Sequence, residues 1–373
     1  MRISVYAVID SIIIGSFLLS VICFLRKHIC FETISDVRVV CIAYVLCIIR
    51  LLLPIDFSFT TGISLKGAFT DIWKFLFDTR FLIFNKEFSV VDIVIVIVFG
   101  ISIWKLCFFL IRYNLMVYKL TALPRCNSEQ VKVVSSRIRS MGYDLHPEMI
   151  LYSGSLHTPY TVGVIKKRII MPSLKFSDKE LYYILLHEST HICRHDLLKK
   201  IILQFLFCIF WWVPCHTRII KDIQQIIEIH CDKAVIHNIA QKEIGFYMET
   251  MLSCLKKVSL GRTDKSILAF TLIERRKDIL ERFQLITSSD VRPKKFSTLF
   301  LAILALIVFL TYLAVPFPYY ENDYSQINSE AYLVLDNDSY HIVYPEQDFY
   351  QGIPEFYATL LIEGGMKLKG DPK

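Results

Sequence analysis

Charge is scarce in this 373-residue chain, and a cysteine framework is missing. Only 21% of the residues are Asp, Glu, Lys or Arg, while 54% are hydrophobic, which excludes an ordinary soluble protein. Four stretches are almost free of charge. Residues 3–25 carry only Asp10, 39–53 only Arg50, 90–111 only Asp92 and Lys105, and 298–316 none. The eleven cysteines include no CxxC pair, and none falls in 54–89 or 317–373. That excludes a disulfide scaffold and suits a reducing compartment or lipid. Cys193 and Cys231 read as structural thiols on the same ground. Internal repeats and low-complexity tracts are absent too. Four spans without inverted repeats give a transporter little support, although Asp10, Asp92 and Lys105 are intramembrane charges.

A helix crossing the bilayer core needs about 20 residues. The first, third and fourth apolar stretches meet this, and the second does if it begins near Val37. The first lacks a small-x-small cleavage pattern before Arg26-Lys27-His28, so it reads as a retained membrane helix rather than a signal peptide. Arg26, Lys27 and Arg38 place the first loop on the cytoplasmic side. Alternation then puts 54–89 outside, 112–297 inside and 317–373 outside. Residues 112–297 hold 29 basic and 17 acidic side chains; 317–373 hold 3 and 10. The basic middle fits an anionic inner leaflet better than nucleic acid. The expected organisation is a membrane domain over 1–111 with three transmembrane helices, a cytoplasmic domain over 112–297, a fourth transmembrane helix over 298–316, and a short extracellular tail over 317–373.

Within 112–297, Val131, Val134, Ile138 and Met141 give a helix over 127–142 its apolar face. Ile150-Leu151-Tyr152 is a short strand, and 160–165 with 168–172 form a hairpin turned at Lys166-Lys167. Ser177 and Glu180 make a capping box that opens the next helix. The apolar run 201–213 is short for a span and reads as a buried or interfacial helix. Further helices are expected over about 216–240 and 241–256. Residues 258–266 and 287–297 read as exposed loops, and loop composition alone places self-cleavage there.

What the chain does have is His187-Glu188-Ser189-Thr190-His191 inside a helix-forming run. Residues four apart share a helix face, so both imidazoles reach one metal ion. Glu188 between them is the candidate general base on a metal-bound water. A third protein ligand is still required. His195, eight residues after His187, cannot share the metal unless the helix breaks, and Arg194 stands where the longer HExxHxxGxxH pattern needs Gly. Glu228 lies 37 residues beyond His191, with Asp232 one turn later to orient an imidazole. Its neighbours Ile226, Ile227 and Ile229 argue for a packed helix over a solvated acidic face. His230 is the remaining candidate and points elsewhere if Glu228 faces the metal.

Pro159 to Ile165, Ile169-Ile170-Met171-Pro172, His187 to Asp196, Trp211-Trp212-Val213-Pro214 and Glu228-x-x-Cys231-Asp232 together resemble the M56 peptidases, the BlaR1/MecR1-type membrane metalloproteases. The likeness runs over about residues 1–316. It implies an α-helical membrane protein with about four transmembrane helices and a cytoplasmic α+β gluzincin-like metalloprotease domain. It implies His187, His191 and Glu228 as Zn2+ ligands and Glu188 as catalytic base. It gives Asp196 and Asp232 supporting roles, and it has the strand at Thr161, Val162 and Gly163 pair with a bound peptide. The chain departs from antibiotic-sensing members, because Ser325, Ser329 and Ser339 lack Lys three residues on. Direct β-lactam sensing is therefore not expected. A tail of 57 residues has room for a small hairpin and a marginal core.

The function expected is a zinc endopeptidase in the cell membrane that acts in signal transduction. It would cleave a cytoplasmic protein, such as a transcriptional repressor, or itself. The competing reading is a signalling receptor or scaffold that keeps the metal fold without essential proteolysis. Expected partners are the protein substrate, the lipid bilayer, an extracellular sensor protein and a second copy in a homodimer, with no direct nucleic acid.

Overall fold

A computed structural model describes residues 5–28, 34–55, 60–83, 86–126, 128–154, 158–260, 277–287, 295–318, 332–336, 339–344, 349–353, 358 and 368–369. Two compact units emerge. One combines Met1–Ala7, Ile55–Val91 and Tyr312–Lys373; the other combines Val8–Pro54 and Asp92–Thr311.

The second unit contains the apolar helices. α1 (Val5–His28) and α4 (Val90–Thr121) are long and apolar enough to cross a membrane. α2 (Ile34–Leu52) has 19 residues and α11 (Lys295–Leu310) has 16. α1 and α2 touch at Gly15, where a Cβ would stand 2.9 Å from Leu51 Cα, so only glycine permits the approach. Asp10, Ser11 and Arg50 are all buried there. The Arg50 guanidinium donates to the Asp10 carboxylate and the Ser11 hydroxyl, and its Nε donates to Thr311 Oγ1 at 2.8 Å. Asp10, an intramembrane charge by sequence, is thus half of a buried ion pair. Lys105 lies over the Trp211 ring, 5.6 Å from its centroid.

α4 runs ten residues past the expected boundary at 111. At 1.5 Å per residue its 32 residues reach about 48 Å, well beyond a hydrocarbon core of about 30 Å. Its far end packs on a three-stranded sheet, where Leu120 meets Val162 and Ile170. Sheet order is β4 (Ile150–Ser153), β6 (Arg168–Pro172), β5 (Tyr160–Val162), with β4 parallel and β5 antiparallel to β6. The chain leaving α4 flanks β4, with Cys126 N donating to Ile150 O and Tyr152 N to Pro124 O. Among the described residues, β5 is the uncovered edge. It is shorter than expected. At Gly163, φ is +81° and a Cβ would stand 2.1 Å from Lys166 O, so the chain turns there. Gly163 therefore sits in the turn, not the strand.

α5 (Glu129–Ser140) and α6 (Asp178–Cys193) pack over this sheet around Val131, Ile138, Leu185 and Leu186. The Ser177–Glu180 capping box opens α6: Ser177 N donates to Glu180 Oε2 at 2.8 Å, and Glu180 N donates to Ser177 Oγ at 3.3 Å. α7 (Asp196–Ile209) buries Leu203 and Phe207 and exposes Leu198, Ile202 and Phe205. Its 14 residues span about 21 Å, too short to cross. α8 (His216–His237) and α9 (Ile244–Leu260) follow, then α10 over residues 277–287. α9 absorbs 258–260 and α11 absorbs 295–297, so those residues are helical rather than looped. The remainder of the two expected loops, apart from Thr287 at the end of α10, lies outside the described residues.

The first unit holds α3 (Ala68–Asp78), the hairpin of β2 (Arg80–Ile83) and β3 (Lys86–Ser89), and β1 (Thr61–Leu65) paired in parallel with β7 (Ala314–Pro318). This pairing corrects the fourth apolar run. Its helix stops at Leu310, and 314–318 is extended. Pro316 and Pro318 cannot continue a helix, and the Thr60 and Thr61 hydroxyls accept this ending by donating to Tyr312 O and Leu313 O. The expected tail hairpin is present as β8 (Tyr332–Asp336) and β9 (Ser339–Tyr344), flanked by β10 (Phe349–Ile353) and β11 (Leu368–Lys369).

Candidate metal centre

α6 and α8 build the site between them. On α6, His187 and His191 lie one turn apart and turn their Nε2 atoms to within 3.1 Å of each other. On α8, Glu228 brings Oε2 to 3.5 Å from each of those nitrogens. Ligands about 2.0–2.1 Å from a tetrahedral zinc stand about 3.3–3.4 Å apart. The three donor atoms therefore fit a zinc ion without rearrangement.

Cys231 also reaches the cluster, one turn after Glu228 on the same face of α8. His187, His191 and Cys231 present ligand atoms within 4.8 Å of one another. Its sulfur, however, lies 3.8 Å from His187 Nδ1 and 3.6 Å from His187 O, on the far edge of that ring. Glu228 faces both Nε2 atoms at once, so it is the better third donor. His195 is exposed, at a left-handed break (φ 54°) between α6 and α7, and His230 lies off the cluster.

That break places Asp196. As the first residue of α7 it turns back, and its Oδ2 lies 2.9 Å from His191 Nδ1. Lys199 donates to its other oxygen at 2.7 Å. His187 reaches a carboxylate less directly. Its Nδ1 lies 2.8 Å from the Tyr247 hydroxyl, and that hydroxyl donates to Asp232 Oδ1 at 2.6 Å. Arg282 grips Asp232 through Nε and Nη2 at 2.6 and 2.8 Å. Such partners fix the imidazole tautomer and aim the other nitrogen at a metal. Lys200 donates to Glu228 Oε1 at 3.0 Å, leaving Oε2 for the cluster.

The charges converge as well. Burial opposes ionisation of Glu228, yet the two imidazoles and Arg282 outweigh it and hold the carboxyl well below its usual range. Burial disfavours protonated His187 and His191, but Cys231, Glu228 and, for His191, Asp196 raise them to about 10 and about 12. Burial pushes the Cys231 thiol up, and the histidines bring it below its ordinary value. Positive charge is thus favoured where these groups meet, which suits a divalent cation.

Glu188, 7% exposed, accepts from the Thr161 hydroxyl through Oε2 at 2.7 Å. Thr161 lies on β5, so the edge strand and the carboxylate of the motif are joined by one hydrogen bond. Val162, the next residue, is buried against α4. Beside His187 and Glu188 lies a cleft of about 150 Å³, walled by Pro159, Tyr183, Tyr247, Met251 and Arg282. A larger hollow of about 550 Å³ between α5 and α6 contains none of the metal-site residues, so we assign the chemistry to the smaller one.

Sequence reasoning did not identify Tyr247, Lys200 or Arg282, which belong to no short motif. Cys231 did carry a signal, its three-residue spacing from Glu228.

Known proteins resemble this chain over its central part. The family model for BlaR1 peptidase M56 matches residues 64–286. The methicillin resistance mecR1 protein of Staphylococcus aureus is 28% identical over 174 residues, which is 45% of this chain and 28% of that protein. The regulatory protein BlaR1 of Bacillus licheniformis is 31% identical over 173 residues, 44% of this chain and 28% of that protein. The regulatory protein BlaR1 of S. aureus is 30% identical over 159 residues, 42% of this chain and 26% of that protein. The chain thus spans about a quarter of the length of these curated relatives, 26–28%.

Proposed function

The chain belongs to the BlaR1-type M56 peptidase family, and we propose that it is a membrane-embedded zinc endopeptidase that relays a signal by cutting a cytoplasmic protein. One observation carries this reading: His187, His191 and Glu228 converge at 3.1–3.5 Å beside Glu188, next to an open strand edge. His187, His191 and Glu228 would hold the zinc, which supplies Lewis acidity and a water acidified to a pKa of about 7. Asp196 orients His191, and Asp232 orients His187 through Tyr247. Glu188 takes a proton from water and returns it to the leaving amine. Thr161 holds one oxygen of Glu188 and leaves the other for that proton. An extended peptide adding to β5 would lie along Tyr160–Val162, within reach of the same carboxylate.

The membrane arrangement we propose has three spans within 1–111, a cytoplasmic protease segment over 112–297, a fourth crossing through α11, and an external tail. Lys and Arg in the flanks support it. So does the pairing of β1 with β7, which joins the loop 54–89 to the tail in one unit, as a shared side requires. α11 alone reaches about 24 Å, so the crossing must be completed by 311–313. The Thr60 and Thr61 hydroxyls satisfy carbonyls that lipid would leave unpaired. The substrate is a cytoplasmic protein such as a repressor, and the word "regulatory" in the names of two relatives supports that role. An external sensor protein and a second copy of the chain remain partners we propose.

Metal content of the detergent-purified chain tests the centre. Wild type should hold about one zinc, and His191→Ala and Glu228→Ala should each lose it, because three protein ligands are the minimum for such a site. Full zinc in Glu228→Ala would transfer the third position to Cys231.

A further inference from the structure

α10 closes one side of the metal centre, and its adjacent residues Glu281 and Arg282 hold two different structures. Arg282, with a side chain only 14% exposed, bonds both oxygens of Asp232 and lies 3.7 Å from Glu228 Oε2. Glu281 accepts two hydrogen bonds from Arg26 Nη2, at 2.8 and 2.7 Å. Arg26 is near the end of α1, the first apolar helix. Both ends of this Arg26–Glu281 pair are largely buried, at 11% and 13% exposure.

We propose that Arg282 is a positioning residue of the metal centre, and that the Arg26–Glu281 pair holds it in place, so that α1 sets the orientation of the metal ligands. The inference rests on the metallopeptidase reading above. Arg282 fixes Asp232, Asp232 accepts from Tyr247, and the Tyr247 oxygen accepts from His187 Nδ1. The last bond keeps the proton on Nδ1 and leaves Nε2 as a metal donor. A second link runs in the same direction, since Tyr44 on α2 donates to Asp222 of α8 at 3.0 Å.

Plain electrostatics opposes this role. A guanidinium 3.7 Å from a ligand carboxylate repels a divalent cation, so Coulomb attraction alone has the metal bind more tightly without it. Positioning demands the opposite. Asp232 is 1% exposed, and among the described residues its charge has, without Arg282, Tyr247 and His187 to turn to. It would then draw the His187 ring, 3.4 Å away, out of line.

The test is zinc affinity of the full chain in detergent, by competition with a chromophoric chelator, with the thermal midpoint followed in parallel. Loss of an outer partner costs about 10–100-fold in metal affinity, so Arg282→Gln should bind zinc at least about 10-fold more weakly. Arg282→Lys should recover part of that. Arg26→Glu and Glu281→Arg should each weaken zinc several-fold, and the double exchange should return to within about twofold of wild type. Unchanged or tighter binding in a folded Arg282→Gln protein overturns the positioning role. Unaffected single variants, or a double exchange that does not recover, overturn the hold of α1. Should Arg282→Gln fail to fold, the charge exchange, remote from the ligands, decides. A zinc-free wild type overturns the metallopeptidase reading with it; zinc bound equally by every variant overturns this inference alone.

Discussion

Two places in this molecule bury opposite charges, and they do so for different ends. Among the apolar helices, Asp10 and Arg50 sit at 4% and 2% exposure, and Ser11 and Thr311 also accept from the guanidinium. The two charges meet each other directly. Between α6 and α8, two imidazoles, a carboxylate and a thiol turn toward one another beside a cleft, the imidazoles and the carboxylate each held from behind by a further residue. There the ligand atoms of several side chains converge on one point. Buried charge alone therefore says little about function. A surplus of donor atoms aimed at one point, with space next to it, says much more.

Removing the proton carrier separates the two regions most sharply. Glu188→Gln should leave zinc content unchanged and reduce peptide cleavage by about 10²–10⁴-fold, the usual worth of general acid–base catalysis. Cleavage at an undiminished rate would take Glu188 out of the mechanism. The buried Asp10–Arg50 pair should behave otherwise. Arg50→Met takes the guanidinium away from the buried Asp10 carboxylate, at a cost of about 3–5 kcal/mol, seen as a lower thermal midpoint in detergent. Combining it with Asp10→Asn should recover most of that loss. Zinc affinity of whatever remains folded should not move in either variant. A change there would mean that the two regions are not independent.

How far the sequence spoke of each region follows from the range of the interactions involved. His187, Glu188 and His191 are legible because a helix repeats every 3.6 residues and the metal needs one face. The Ser177–Glu180 cap is legible for the same local reason. Glu228 was reachable as an acid on a packed helix. Tyr247, Lys200 and Arg282 were not, because their roles are fixed by how α7, α9 and α10 pack around α8, and no spacing encodes that. The end of α11 misled for a related reason. The run 298–316 is uniformly apolar, and only the pairing of 314–318 with Thr61–Leu65, together with Pro316, turns its last three residues into strand. Arg50 stood out only as the one charge in 39–53, and its pairing with Asp10 links residues forty apart on different helices.

Thr161 offers the finest probe of the open region, because it belongs to the strand edge and to the site at once. Its hydroxyl donates to Glu188 Oε2 at 2.7 Å. Thr161→Val keeps the β-branched shape that suits a strand and removes only the hydroxyl. A hydrogen bond to a charged group is worth about 1.5–3 kcal/mol, so kcat should fall about 10–100-fold if the bond holds Glu188 in its working orientation. Zinc content should be untouched, since Thr161 meets no ligand. KM for a peptide substrate should change little, because strand addition uses the β5 backbone rather than this side chain. Were KM to rise while kcat held steady, Thr161 would be a substrate contact instead, and Glu188 would take its orientation from α6 alone.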